Sequence, residues 1–211
     1  MLSFLEQKIF TGWSHMQLDE KKLNEIKANV QEYIKNSVFI KEKDCRFVDF
    51  FLNNSKNSIE TAKLLFEASA NQDLKEYLGV PDFDGFLWVI NSGYYSMFYA
   101  AKALLESIGL KIKERDYSVH KLTFEGLVYY FYLTGKLERK LIESFAESAS
   151  ESAESLGKEK AKQLIEDYMF ERSKRSQFTY EMGLTAIRNK AQTSLDRAKV
   201  FVEEIRKILG R

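Results

Sequence analysis

Apolar residues recur at intervals of three and four along most of this chain, the periodicity of helices with one face turned inward. From Asp19 onward, Leu23, Ile26, Val30, Tyr33 and Ile34 form such a stripe, with acids early in the segment, and a helix is predicted there. A second predicted helix runs from about Cys45 to Ala70 and puts Phe47, Phe51, Asn54, Ser58, Ala62 and Leu65 on one face. Residues 71–85 (NQDLKEYLGVPDFDG) carry the breakers Gly79, Pro81 and Gly85 and read as a connection. The strongest pattern spans 86–108, where Leu87, Ile90, Tyr94, Met97, Phe98, Ala101, Leu104, Leu105 and Ile108 make a stripe wide enough for a core helix. Gly109 closes it as a C-cap residue.

Beyond the charged loop KIKERDY, Ser118 reads as the N-cap of a helix carrying His120, Leu122, Leu127, Tyr130 and Phe131, which Gly135 ends. Leu137, Leu141 and Phe145 open the next. It continues into ESFAESASESAESLGKEK, where Glu143, Glu147, Glu151 and Glu154 stack on one helical side. The plain reading of that acidic row is a solvated face, with a docking surface as its rival and Gly157 as a point of kinking or breakage. The stripe resumes at Ala161, Leu164, Ile165 and Tyr168 and meets a basic knot, FERSKRSQFTYE. The last predicted helix runs from about Leu184 to Leu209 on Ala191, Leu195, Ala198, Phe201, Val202, Ile205 and Ile208. Residues 1–17 hold a short apolar cluster at Leu2, Leu5, Ile9, Phe10 and Trp13, suited to a short helix or a docking arm.

Composition sharpens this picture. The 211 residues include one Pro and 10 Gly, whereas average usage would give about ten Pro. Scarce proline leaves room for long helices, and the Asn-Gly turns of β-hairpins are missing. The chain is therefore expected to be all-α, with residues 1–44 as an N-terminal helical extension and 45–211 as the main bundle. Charge excludes one class of partner. With 32 Lys+Arg against 31 Asp+Glu, the chain does not hold duplex nucleic acid by bulk charge alone. No apolar run approaches the ~18 residues of a membrane span. The opening MLSFLEQKIF lacks a basic leader, so a cytoplasmic protein with no membrane association is expected.

Few residues suggest chemistry. Cys45 is the single cysteine and has no histidine near it in sequence, which argues against a thiol nucleophile. His15 and His120 do not form a helical metal pair, and no phosphate-binding glycine loop or serine-nucleophile motif is present, so neither metal nor cofactor is expected. His120, near a helix start, reads most simply as a structural histidine making a local hydrogen bond, with a substrate-orienting role as the rival. The knot is different. Arg172 and Arg175 continue the apolar face of Ile165 and Tyr168, and an inward guanidinium needs a partner. Arg175 and Tyr180 together can grip a phosphate, whereas the plainer reading is an internal ion pair or a bond to helix-end carbonyls.

Two segments together resemble the HEPN family (higher eukaryotes and prokaryotes nucleotide-binding domain). The first is GYYSMFYAAKALLESIGLKIKERDYSVHKLTFEGL, 93–127: a small–Tyr–Tyr–x–Met–Phe–x–Ala–Ala helix, a Gly-ended turn and a helix opening on Ser-x-His-Lys. The second is ERSKRSQFTYE before an amphipathic final helix. It resembles the family's Arg-x-x-x-Asp-Tyr or Arg-x4–6-His segment, with Arg175 at the Arg, Tyr180 at the Tyr and Thr179 where Asp is common. The likeness covers about 45–209. It implies an up-and-down bundle of four to five helices, here with an extra N-terminal helix, that commonly forms homodimers. Many members work beside a nucleotidyltransferase in toxin–antitoxin or stress systems. Active members are metal-independent ribonucleases whose Arg and His act on the RNA 2′-OH and phosphate. This chain has no His after Arg172 or Arg175, and a tyrosine of ordinary pKa ~10 is a poor base at neutral pH. The resemblance therefore implies a nucleotide- or RNA-phosphate-binding regulatory module, with Arg172, Lys174, Arg175, Thr179 and Tyr180 as ligand residues. Two alternatives stand beside it. One is a toxin-type endoribonuclease in which Arg175 stabilises phosphate and Tyr180 or His120 carries the proton. The other is a structural partner-binding protein using the aromatic residues Tyr94, Tyr95, Tyr99, Tyr129, Tyr130, Phe131 and Tyr132.

Overall fold

Asp19 starts the first helix by accepting a hydrogen bond from the Lys22 amide at 2.7 Å, which satisfies an otherwise unpaired N–H of the first turn. In the computed structural model, which describes residues 18–113, 117–168 and 177–211 (157–168 and 177–185 by their backbone alone), this is α1, Glu20–Lys35. It leads through Ser37 into a short strand β1, Phe39–Lys41. Then follow α2, Val48–Ala70, and α3, Gln72–Tyr77. Next come α4, Phe86–Ser107, and a strand β2, Leu110–Ile112. The chain continues in α5, Val119–Leu127, which runs on into a π-helical turn, Val128–Tyr132. Two long helices close it: α6, Arg139–Tyr168, and α7, Gln177–Ile208.

The molecule is a helical bundle, as the periodicity predicts. Helix α4 is central and packs against α2, α6 and α7, while α1 packs against α5, β1 and the π-helical turn. One continuous apolar core takes Ile26, Val30 and Tyr33 from α1, Tyr94, Met97 and Leu104 from α4, Phe145 from α6, and Phe201 and Ile205 from α7. Its middle is a column of rings: Phe145 lies 5.9 Å from Tyr94 and 5.4 Å from Phe201, both nearly stacked. The aromatics of the Tyr-rich segments divide. Tyr94 and Phe131 are buried, whereas Tyr95, Tyr99, Tyr129, Tyr130 and Tyr132 are half-buried against the core.

Several expectations need correction. Strands β1 and β2 pair antiparallel, Phe39 opposite Ile112 and Lys41 opposite Leu110, so a small sheet interrupts the otherwise helical chain. About seventy residues separate the two strands, and no local turn signal announces such a pairing. The connection 71–85 contains α3, whose N-cap Asn71 accepts from the Leu74 amide at 3.1 Å. Ser118 occupies the N-cap position of α5 without making a cap hydrogen bond, and its hydroxyl is buried with no partner among the described residues. The backbone stays helical through Gly157. Helix α7 starts at Gln177, seven residues before the expected Leu184, because nothing between Gln177 and Leu184 except Gly183 opposes a helix.

The acidic stretch is also more than a solvated face. Its serines and alanines are the inward positions: Ser148, Ala149, Ser152 and Ala153 are buried. Ser152 donates to Asn91 Oδ1 at 2.6 Å. The glutamates on the rim meet cations of α7. Arg197 lies 3.0 Å from Glu147 and 2.8 Å from Glu151, and Lys190 lies 3.6 Å from Glu154. Small residues let the helices approach, and the charge rows then close along their edge.

Candidate functional site

The structure places the nominated residues unevenly. His120 is described in full. Thr179 and Tyr180 fall in the first turn of α7, where the backbone alone is described, and Arg172, Lys174 and Arg175 lie outside the described residues. His120 opens α5 and turns inward, 5% exposed. Its Nδ1 is hydrogen-bonded to the Tyr94 hydroxyl at 2.7 Å, and its ring lies 4.5 Å from Phe98. The expected local bond is thus a long-range one, joining α5 to the helix that carries the Gly93–Ala101 motif. In that same motif Gly93 faces α7: a Cβ there would sit 3.1 Å from the Ser194 hydroxyl oxygen. Helix α4, which holds the start of the first segment, thus packs against α7, whose described residues begin at Gln177 within the second.

A second polar cluster escapes the sequence. Glu125 is nearly fully buried on α5. Tyr33 donates to its Oε2 at 2.7 Å and Asn29 to its Oε1 at 3.0 Å, with the Lys121 ammonium 3.9 Å away. Two donors and a nearby ammonium would favour the carboxylate, yet burial outweighs them and pushes the Glu125 carboxyl above its ordinary value. Burial and the bond to Glu125 likewise push the Tyr33 phenol up. The cluster fastens α1 to α5. In the sequence Glu125 is one acid inside the apolar run Phe124–Leu127, and nothing local marks its partners 92 and 96 residues upstream.

The Arg197 clasp behaves similarly. Burial pushes the Glu151 carboxyl up even though the Arg197 guanidinium opposes the shift. At the sheet, Glu106 is buried, pairs with Lys111 and accepts from the Phe47 amide at 3.3 Å, which ties the start of α2 to the α4–β2 turn. Cys45 is exposed beside this turn.

Between α2 and α4 lies an open groove of about 420 Å³. Its walls are amides, hydroxyls and rings: Asn54, Asn57 and Thr61 on α2, and Trp88, Tyr95 and Tyr99 on α4, with no charged side chain in its lining. Asn91 at its base is already bonded to the Leu87 carbonyl and to Ser152.

Among the described residues no cluster of His, Cys, Asp and Glu is suited to hold a metal ion. None of the described helices is long and apolar enough to cross a membrane. Comparison of the chain with family models, curated proteins and solved structures finds no match.

Proposed function

We propose that this chain is a HEPN-like regulatory module of the cytoplasm that binds a nucleotide or RNA phosphate without cutting it. It would work as a homodimer beside a nucleotidyltransferase. The ligand residues are Arg172, Lys174, Arg175, Thr179 and Tyr180. Arg175 supplies bidentate hydrogen bonds to phosphate oxygens and Tyr180 a hydroxyl donor. One observation carries the reading: α4, with the Gly93–Ala101 motif, lies directly against α7, the helix that begins two residues after Arg175. A helix start is also where backbone N–H groups favour an anion. His120 then has a positioning role, since its imidazole is buried against Tyr94 and Phe98.

The ribonuclease alternative uses the same arginine, so one experiment separates the two. Purified protein is incubated with mixed RNA in EDTA. The proposed function predicts that the RNA is retained on the protein and stays intact. Metal-independent cleavage that disappears in Arg175→Ala, with unchanged helical circular dichroism, would replace it with the endoribonuclease reading.

A further inference from the structure

The open groove between α2 and α4 is built from two regular rows. On α4, Trp88, Ser92, Tyr95 and Tyr99 recur at spacings of four, three and four, and on α2 Asn54, Asn57 and Thr61 recur at three and four. Each row lies along one side of its helix, so a wall of rings faces a wall of amides and hydroxyls. The ring wall runs about 16 Å from Trp88 to Tyr99, eleven steps of helical rise. The walls are fixed from behind. The buried Ser55 hydroxyl donates to the Ser96 carbonyl at 2.8 Å and fastens α2 to α4. The Tyr95 ring stands edge-on to His120 at 6.1 Å and to Phe98 at 6.2 Å, and lies tilted against Tyr99 at 6.2 Å. Trp88 remains 51% exposed. The Asn54 and Asn57 carboxamides, the Trp88 indole N–H and the Tyr99 hydroxyl make no hydrogen bond among the described residues. A fixed wall with open donors and acceptors costs a ligand little ordering.

The lining selects among ligands. An apolar molecule would strip water from the amides and hydroxyls without replacing it. An ion would find no counter-charge, because the described lining carries none, and the α2 charges between Asn54 and Thr61, Lys56 and Glu60, pair with each other at 3.8 Å. A nucleic-acid strand needs cations along its backbone beside the stacking rings, and the lining supplies rings alone. A nucleobase offers only a few fixed donors and acceptors on one edge, fewer than the hydroxyls and amides gathered here. A sugar fits both walls. Its hydroxyls each donate and accept, as a carboxamide does, and its C–H face carries the slight positive charge that the face of an aromatic ring attracts. We propose that this groove binds an uncharged oligosaccharide, its C–H faces on the wall from Trp88 to Tyr99 and its hydroxyls on Asn54 and Asn57. The volume of about 420 Å³ falls within the range of small-ligand sites, and the length of the ring wall suits a short chain of sugars rather than a single one. With no carboxylate in the described lining, the groove holds the sugar without cleaving it.

This inference goes beyond the proposed function and is independent of the phosphate site. Isothermal titration calorimetry of the full chain tests it, with neutral trisaccharides of glucose, mannose, galactose and N-acetylglucosamine as probes and adenosine and uridine beside them. At least one trisaccharide is expected to bind with a Kd of ~1 mM or tighter. Its affinity should not change between about 50 and 200 mM salt, because no phosphate is held. Trp88→Ala is expected to weaken binding about tenfold or more, and Trp88→Phe less, because a ring remains. Asn57→Ala should weaken it about fivefold through the lost hydrogen bonds. Both side chains are exposed, so the helical circular dichroism should not change. No binding of any trisaccharide would overturn the inference. So would a sugar bound equally well by Trp88→Ala, or a nucleoside bound more tightly than every sugar. Arg175→Ala separates this site from the phosphate site, since that variant should lose RNA and keep the sugar. A chain that holds RNA but no sugar would sink the groove and spare the phosphate reading. A chain that holds a sugar but no RNA would do the reverse.

Discussion

Gly109→Ala is expected to lower stability by about 3 kcal/mol or more, since an added Cβ makes its closest approach there of any glycine among the described residues. Gly109 has φ +71°, and a Cβ there would lie 1.9 Å from the Glu42 carbonyl oxygen, a backbone atom. The Glu42 amide also donates to the Gly109 carbonyl at 2.8 Å, extending the β1–β2 pairing by one step. The methyl group cannot be accommodated without separating the strands. For a chain of this size the change corresponds to about 6–12 °C in Tm. Gly135→Ala is the control. It has φ +72° with nothing within 4 Å of an added Cβ, so only the backbone cost of about 1 kcal/mol remains. Thermal unfolding of the two variants side by side isolates the clash. Equal losses would show that the β1–β2 approach contributes nothing.

The second large effect concerns Glu125. Glu125→Ala leaves the Tyr33 hydroxyl and the Asn29 amide without their acceptor inside the protein and is expected to cost about 2–3 kcal/mol. The milder Glu125→Gln reads out the proton. Because the folded carboxyl sits above its ordinary 4.5, the native state holds more protons than the unfolded one as pH rises from that value. Stability from this group is therefore fully present below 4.5 and declines as pH rises through the folded value. Asp44 and Asp196 shift the opposite way, held below 3.8 chiefly by hydrogen bonds donated by Arg46 and by Gln192, so their effect falls in a more acidic window. Tyr33 acts at the alkaline end, where the unfolded phenol ionises above 10 while the folded one resists. Denaturant midpoints measured from pH 4 to 7 (a range on the order of three units around the carboxyl values) should show a downward slope with rising pH in the wild type. That slope should be reduced in Glu125→Gln. An unchanged slope would mean that Glu125 does not titrate in this range.

Much of the architecture was readable because helices are written locally. The stripes from Leu23 to Tyr33 and from Leu87 to Leu105 became α1 and α4, since each turn of a helix is determined by residues three and four apart. What escaped was written over long separations. Val38 and Phe39 did not reveal that their segment pairs with residues beyond Gly109. Glu125 did not reveal Tyr33, and the glutamates at 147 and 151 did not reveal Arg197, because a charge row looks the same whether it faces water or a cation on another helix. A hydrogen bond at His120 was legible, but its partner Tyr94 lies 26 positions away. Of the residues proposed to bind phosphate, Arg172, Lys174 and Arg175 lie outside the described residues and rest on the motif alone.

The most direct measurement for the proposed function is a binding titration of a labelled oligoribonucleotide with the wild type and Arg175→Ala, followed by fluorescence anisotropy from about 50 to 200 mM salt. If Arg175 grips a phosphate, the wild type binds with an affinity that falls as salt rises. The variant should then bind on the order of tenfold more weakly, with a salt slope smaller by about one, the signature of a single lost phosphate contact. Equal affinity and equal slope in the two proteins would contradict the phosphate-binding assignment.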